Sequence, residues 1–155
     1  MSLVTEEIRA IAEIVQGKEL CQATSYMFLK EMGIPRGLLP LEDMEECGRV
    51  KETGFIWLKQ KKKIDHKFEK IGKFAQYANE VTAFIEPKKL RQVTGVKAKE
   101  FFMWITVNEV SVDDQTMPFG KVIFKTPTGI SRAFPISAFE VPPPEAEIDG
   151  GCQEI

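Results

Sequence analysis

From about residue 48 onward, the chain consists of short apolar runs separated by turn residues. No later stretch keeps a helical period for more than a couple of turns. This pattern restricts the fold most, because short strands separated by turns at this spacing are typical of a β-sandwich or a β-barrel. Residues 53–60, TGFIWLKQ, are rich in strand-forming types, and residues 64–68 alternate apolar and polar side chains. We therefore predict a β-rich body.

The most apolar run of this body is FFMWITVNEV, residues 101–110. Because it is apolar on both faces through Ile105, we expect a central strand that is covered on both sides. The face predicted to be buried consists of Phe101, Met103, Ile105 and Val107. The other face, predicted to be at least partly covered, carries Phe102 and Trp104. Farther along, a hairpin is predicted from residues 121–125 and 130–134 around the turn Thr126-Pro127-Thr128-Gly129.

Helical signals are confined to the N-terminal part of the chain. Thr5 can cap a helix whose first turn holds two glutamates, with Ile8, Ile11, Ala12 and Val15 on one face and Gly17 at its end. A second helix is predicted over residues 18–32, and Gly33 suits the left-handed position that follows a helix. The next residues, IPRGLLP, place prolines and a glycine around two leucines, which predicts a structural joint between this helix and the sheet.

These signals predict a single, mainly β domain with N-terminal helices (α+β), folded as an antiparallel-rich barrel or sandwich. The expected boundaries are residues 1–32 for the two helices and residues 33–140 for the β-barrel-like domain. Residues 141–155, VPPPEAEIDGGCQEI, combine prolines, acids and glycines and are expected to form a disordered tail.

Composition excludes several classes of function. The net charge of −2 is too small for a dedicated nucleic-acid surface or anionic-membrane surface, and the lysine run at positions 59 and 61–63 is interpreted as a solvated loop. The N-terminus shows neither a signal-peptide core nor a membrane span, so we expect a cytoplasmic protein. Three cysteines and one histidine indicate reduced thiols and no metal site.

One short motif resembles a catalytic one. Residues 129–133, GISRA, nearly match the nucleophile elbow of hydrolases, in which a strained turn between a strand and a helix exposes a serine. Here Ser131 lies in a predicted hairpin, no helix follows, and His66 is the only imidazole available as a base. We predict no catalytic residue, and we keep an ester hydrolase as the alternative. The sequence contains no glycine-rich phosphate-binding motif.

Four segments carry a resemblance to a known family: GIPRGLLP at 33–40, TGFIWL at 53–58, TGVKAKEFFMWITVNEV at 94–110 and FPISAF at 134–139. In this order and spacing they resemble the plant proteins grouped as domain of unknown function 538. The resemblance implies a compact β-barrel-like or sandwich domain preceded by helix. It also implies a plant source and, at family level, lipid-like amphiphile binding, chlorophyll binding or breakdown, or a stress response. Many members have a leader and paired cysteines, whereas this chain resembles an intracellular branch.

Together these observations predict a non-enzymatic, monomeric binding domain for a small apolar or amphiphilic molecule, without a cofactor. The residues expected to line its pocket are Phe55, Trp57, Phe102, Trp104 and Phe119. Two alternatives remain open: an ester hydrolase that acts on chlorophyll-related substrates, and a structural protein that binds a partner through Pro142, Pro143 and Pro144. A pocket of about 300 Å³ or more would favour the binding domain.

Overall fold

A computed structural model of the chain describes residues 2–114 and 120–140. The helices are α1 (Glu6–Ile11) and α2 (Lys18–Glu31), with two short 3-10 helices at Arg36–Leu38 and Ile136–Phe139. The strands are β1 (Glu13–Gln16), β2 (Met44–Val50), β3 (Phe55–Gln60), β4 (Ile64–Phe68), β5 (Lys73–Glu86), β6 (Lys89–Glu100), β7 (Met103–Thr106), β8 (Glu109–Asp113), β9 (Lys121–Lys125) and β10 (Ser131–Pro135).

All ten strands belong to one antiparallel sheet, in the order β1-β2-β3-β5-β6-β8-β9-β10. The long hairpin β5–β6 is its centre. Near the turn of this hairpin β5 pairs with β3 and β6 with β8, whereas at the open end β5 pairs with β4 and β6 with β7. No ladder joins β10 to β1 within the described residues, so the sheet is open there. The mainly β fold with two helices is confirmed, and the closed barrel is not.

Gly95 marks the place where the central hairpin changes its partners. Its φ is +86°, and the register between β5 and β6 shifts between the pairs Tyr77–Val96 and Thr82–Thr94. A Cβ atom at this position would overlap the carbonyl oxygen of Glu80, so only glycine allows the two backbones to approach. The irregularity at this position separates the two ends of the hairpin.

Strands β2 and β3 are buried on both faces, which explains the continuous apolar run FIWL. On one face, Cys47, Ile56 and Leu58 belong to the main core beneath α2. On the other face, Val50, Phe55 and Trp57 form a second cluster that Ile8 and Ala12 cover. The helix α1 and the strand β1 therefore complete the covering of a tryptophan that has no solvent exposure.

A buried carboxylate connects this second cluster to the N-terminal segment. Glu46, on β2, accepts hydrogen bonds from Arg9 Nη1 at 2.6 Å, from Gln16 Nε2 at 3.1 Å and from Trp57 Nε1 at 2.9 Å. The hydrogen bond from Arg9 contributes most to lowering the pKa of Glu46 to about 2, although burial opposes this shift. Glu46 is therefore ionised throughout the neutral range and stabilises α1 and β1 against β2 and β3.

This lowered pKa predicts how the stability of the fold depends on pH. Glu46 binds a proton more readily in the unfolded chain, with a pKa near 4.5, than in the folded one. Its contribution is complete above the unfolded pKa and is lost as the pH falls toward 2, and it amounts to about 3 kcal/mol. Urea unfolding at pH 6 and pH 3 should show about 2 kcal/mol of this loss in the wild type and a much smaller change in Glu46→Gln. Equal pH dependence in both proteins would contradict the assignment.

The segment that follows α2 is a joint between helix and sheet, as its prolines and glycines predict. Gly33 has a φ of +72°, and Ile34 N–H donates to the Leu29 carbonyl at 2.9 Å, which ends the helix as predicted. Leu38 is 3% exposed, and its carbonyl accepts a hydrogen bond from Tyr77 Oη at 2.8 Å. At Gly37 a Cβ atom would overlap the backbone of Phe139, so the two 3-10 helices pack closely there.

The prediction of one central strand over residues 101–110 is wrong. Phe101 and Phe102 form the turn of the hairpin β6–β7, where they are 82% and 93% exposed. Strand β7 begins only at Met103, and among the described strands β6 is its one partner. Residues 100–103, which form this turn, include no glycine, proline or asparagine that would signal it, so the pattern was read as a continuous strand.

The N-terminal prediction needs one correction. Both helices are present, and Thr5 Oγ1 accepts from the Ile8 N–H at 3.2 Å as the predicted cap. However, Val15 lies in strand β1, opposite Cys47, and Ile11 is 63% exposed. The apolar spacing fitted a helix, but pairing with β2 gives the backbone of β1 its hydrogen bonds. The predicted tail, residues 141–155, lies outside the described residues.

Candidate functional site

A partly enclosed apolar cavity of about 330 Å³ lies at the open end of the central hairpin. Its floor contains Ala75 on β5 and Ala98 on β6, which are direct cross-strand partners. Ile105 on β7 is the next partner in the same row and lies opposite Ala98. Two adjacent alanines leave space that larger side chains would fill, so the cavity follows directly from the residue types on this row.

The opposite wall consists of phenylalanines from the last two strands and from the 3-10 helix that follows them. The rings of Phe124 and Phe139 are 5.5 Å apart between centroids, and those of Phe68 and Phe139 are 4.9 Å apart. Phe134 packs against Phe124 at 6.0 Å. Because each ring contacts another in a tilted or edge-on arrangement, this wall is held in place by packing within the protein.

Charged side chains are concentrated at the rim of the cavity. Glu100, whose side chain is 14% exposed, lies 3.3 Å from Lys73 Nζ and 3.6 Å from Arg132 Nε. The ammonium group of Lys99 lies 5.9 Å from the ring centroid of Phe74. Three cations therefore face one carboxylate, and the rim has a net positive charge.

The cavity suits binding better than catalysis. Among the described residues its lining contains no histidine, cysteine or serine, and its two hydroxyl groups, those of Thr126 and Thr128, have no imidazole beside them in that lining. Within residues 2–114 and 120–140, no group of three or more His, Cys, Asp or Glu side chains is placed to hold a metal ion. What the arrangement provides is an apolar volume with a charged entrance.

The structure does not bring the five predicted pocket residues together. Phe55 and Trp57 lie in the cluster beneath α1, and Phe102 is at the tip of the hairpin β6–β7. Trp104 lies on β7 with Lys99 Nζ 5.8 Å from its ring centroid, and Phe119 is outside the described residues. None of the four described residues lines the cavity.

Sequence analysis missed most of the cavity, although it placed part of one wall correctly. Of the four residues predicted to share a buried face, Phe101, Ile105 and Val107 line it, but Phe101 is 82% exposed in a turn, and Met103 is 63% exposed and does not line it. The alanines of the floor gave no signal, because an alanine in a strand is ordinarily read as a weak strand former. The available clue to the second wall was the presence of one phenylalanine, Phe124 or Phe134, on each strand of the predicted hairpin.

Ser131 and His66 do not form a catalytic pair in the described structure. Ser131 is exposed on β10, and after Pro135 the chain enters a single 3-10 turn, so the strand-to-helix geometry of a nucleophile elbow is missing. His66 lies on β4, which pairs with β5, and packs edge-on against Phe68 with the ring centroids 4.7 Å apart. Burial lowers the pKa of His66, and the imidazole instead borders a second, more polar cavity of about 690 Å³.

The remaining chemical candidates have structural roles. Lys61, Lys62 and Lys63 are exposed in the connection between β3 and β4, as predicted for a solvated loop, whereas Lys59 lies within strand β3 and is only partly exposed. Cys21 and Cys47 are free and fully buried, and burial raises the pKa of both thiols, which makes them poor nucleophiles. None of the helices in the described parts of the chain is long and apolar enough to cross a membrane.

Comparison with known proteins identifies a family without an assigned activity. Residues 25–140 match a family model described as "Protein of unknown function, DUF538". Searches of curated proteins and of solved structures found no match. The matched region contains the whole described cavity and begins within α2, so the segment that covers Trp57 lies outside it.

Proposed function

We propose that this chain, which belongs to the DUF538 family, binds a small anionic amphiphile in the cavity at the open end of the hairpin β5–β6. The description of that family names no activity. The apolar part of the ligand would occupy the space above Ala75 and Ala98. Its charged group would remain at the rim among Lys73, Lys99 and Arg132.

The observation that carries this proposal is the combination of an unfilled apolar volume and a defined charged entrance. Protein interiors normally pack at the density of organic crystals, whereas here a partly enclosed volume of about 330 Å³, lined mostly by apolar side chains, is left unfilled. Ligand sites typically have volumes of about 300 Å³ or more and combine a mostly apolar lining with few polar groups. Both properties are present at this position.

The charges at the rim favour an anionic head group over a cationic one. Glu100 accepts from Lys73 and lies near Arg132, which leaves these cations only partly neutralised. Lys99 is half-buried against aromatic rings, where it keeps its ammonium near the entrance. A carboxylate, sulfate or phosphate group on a short alkyl chain would complete this arrangement.

The test compares two detergent-like probes that have similar alkyl tails and head groups of opposite charge. Isothermal titration calorimetry below the micelle threshold should show saturable binding of decanoate, and binding of decyltrimethylammonium that is about tenfold weaker, since a charge-assisted hydrogen bond contributes roughly 1.5 kcal/mol or more. Absence of saturable binding by both probes would contradict the proposal. Equal affinity would contradict the role of the rim while leaving an apolar site.

A further inference from the structure

A second feature lies beside the mouth of the cavity and shares Phe74 and Phe101 with its lining. Five apolar side chains at the turn of the hairpin β6–β7 and on the strands beside it form a surface that we call the aromatic tip: Phe74, Phe101, Phe102, Met103 and Trp104. Phe101, Phe102 and Met103 are 82%, 93% and 63% exposed. Singly exposed apolar residues are ordinary, but a contiguous exposed group indicates an interaction surface.

The backbone at the aromatic tip is unfavourable for the residues that occupy it. Phe101 and Phe102 form a two-residue loop between the paired residues Glu100 and Met103, with φ values of +50° and +70°. Positive φ at both central positions is characteristic of type I′ turns, in which asparagine and glycine are preferred. Bulky side chains are rare in this conformation. Two phenylalanines here are disadvantageous for folding, which points to selection for contact with something outside the fold.

Cations alternate with the aromatic rings on the outer face beside the aromatic tip. Lys67 on β4 is the cross-strand partner of Phe74, and Lys99 on β6 is the partner of Trp104. Lys67 Nζ lies 5.8 Å from the Phe74 ring centroid, and Lys99 Nζ lies 5.9 Å from the same ring. Together with Lys73 and Arg132 of the rim, four cations lie at this end of the molecule.

Acidic side chains neutralise this charge only in part. Glu100 is close to Lys73 and Arg132, and the exposed Glu69 lies 3.8 Å from Lys67 Nζ. The net charge of −2 predicted no anionic-membrane surface, but it is a sum over the chain and does not describe this end. Locally, four cations and two acids surround a projecting apolar surface.

We propose that the aromatic tip docks on an anionic lipid bilayer, with the two phenylalanines inserted at the interface and the lysines beside them at the level of the head groups. Phenylalanine and tryptophan favour the membrane–water interface, and lysine can bury its methylenes while its ammonium contacts lipid phosphate. Binding of this kind increases with buried apolar area and with attraction to anionic lipid. The cavity mouth would then face the bilayer.

The first test is flotation of the full chain with vesicles of phosphatidylcholine, alone or in equal mixture with phosphatidylserine. We expect association with the mixed vesicles, weaker association with phosphatidylcholine alone, and loss of the difference at high salt. Lys67→Gln should weaken binding to the mixed vesicles about fivefold, as expected for one interfacial lysine. Failure of the wild type to float with mixed vesicles would overturn the proposal.

A turn replacement separates docking from folding. Phe101→Asn combined with Phe102→Gly introduces the preferred type I′ residues, so the urea midpoint should rise while vesicle affinity falls about a hundredfold. The single variant Phe102→Gly changes a residue that does not line the cavity; it should lose about tenfold in vesicle affinity and bind decanoate like the wild type. The matched control, Leu20→Gln with Met27→Gln, removes exposed apolar side chains from α2 and should float like the wild type.

Tryptophan fluorescence supplies a direct measure of insertion. Trp57 has no solvent exposure, so quenching by brominated phosphatidylcholine in mixed vesicles should report on Trp104. Strong quenching that Phe102→Gly reduces would support docking through the aromatic tip, and its absence in vesicle-bound protein would overturn it. A different outcome is a wild-type protein that sediments as a dimer and does not bind vesicles, while the turn replacement sediments as a monomer. The aromatic tip would then be a contact between two copies, and the proposal would be wrong.

Discussion

Replacement of Gly48 by alanine is expected to destabilise the fold by about 3 kcal/mol or more, which is at the upper end of the range for overpacking in a core. Gly48 on β2 is the direct cross-strand partner of Trp57, whose indole ring lies over the glycine. A Cβ atom at position 48 would overlap ring atoms Cη2 and Cζ2. The ring cannot move aside easily, because it is fully buried and donates to Glu46 at 2.9 Å. Urea unfolding followed by circular dichroism measures the effect.

A double-mutant cycle provides the control for this prediction. Trp57→Phe removes the ring atoms that would overlap with a methyl group at position 48, so Gly48→Ala should cost clearly less in that background, with a coupling of about 1 kcal/mol or more. If alanine costs the same in both backgrounds, the destabilisation comes from the strand backbone and the contact between the glycine and the indole is not its cause.

Replacement of Ala98 by tryptophan should abolish most of the proposed ligand binding without unfolding the protein. Ala98 is partly buried on the floor of the cavity, and an indole at this position would occupy the volume proposed for the alkyl chain. We expect decanoate affinity to fall about a hundredfold, because the chain would lose most of the apolar burial that stabilises it. Filling an existing cavity should leave the urea midpoint unchanged or slightly higher.

The matched control for this substitution is Ala133→Trp. Ala133 is exposed on β10, between Arg132 and Phe134, which both line the cavity while Ala133 does not. The same side chain is thus placed on the same sheet but on the other face, and decanoate affinity should be unchanged. Wild-type affinity in Ala98→Trp, or an equal loss in both variants, would contradict the location of the site.

The elements that sequence reasoning predicted correctly are those whose signals are local. The end of α2 depends on one glycine with positive φ, and the hairpin β9–β10 depends on the turn Thr126-Pro127-Thr128-Gly129. Residues 55–58 were read as a strand because their types favour strands, and burial on both faces explains why polar alternation is missing there. Each of these signals lies within a few residues of the feature that it predicts.

The features that it missed depend on residues that are distant in sequence. The cavity is lined from β5, β6, β7, β9 and β10, so no window of the chain contains it. Trp57 was assigned to a pocket because it is aromatic, whereas Gly48 and the N-terminal segment decide that it packs in a closed cluster. The turn at Phe101 and Phe102 was missed for a different reason, since its residues contradict the turn chemistry on which such predictions depend.

The order of strands in the sheet has a consequence for how the chain folds. Each ladder joins strands that follow one another in the chain or are separated by a single strand, so few distant segments must meet before any pairing is gained. Low sequence separation between contacting residues reduces the loop-closure entropy that slows the folding of most β proteins. The sheet can grow outward from the hairpin β5–β6 in both directions. The pairing of β1 with β2 closes the longest loop, because the whole of α2 lies between the two strands. We therefore expect this pairing to have the largest loop-closure entropy cost.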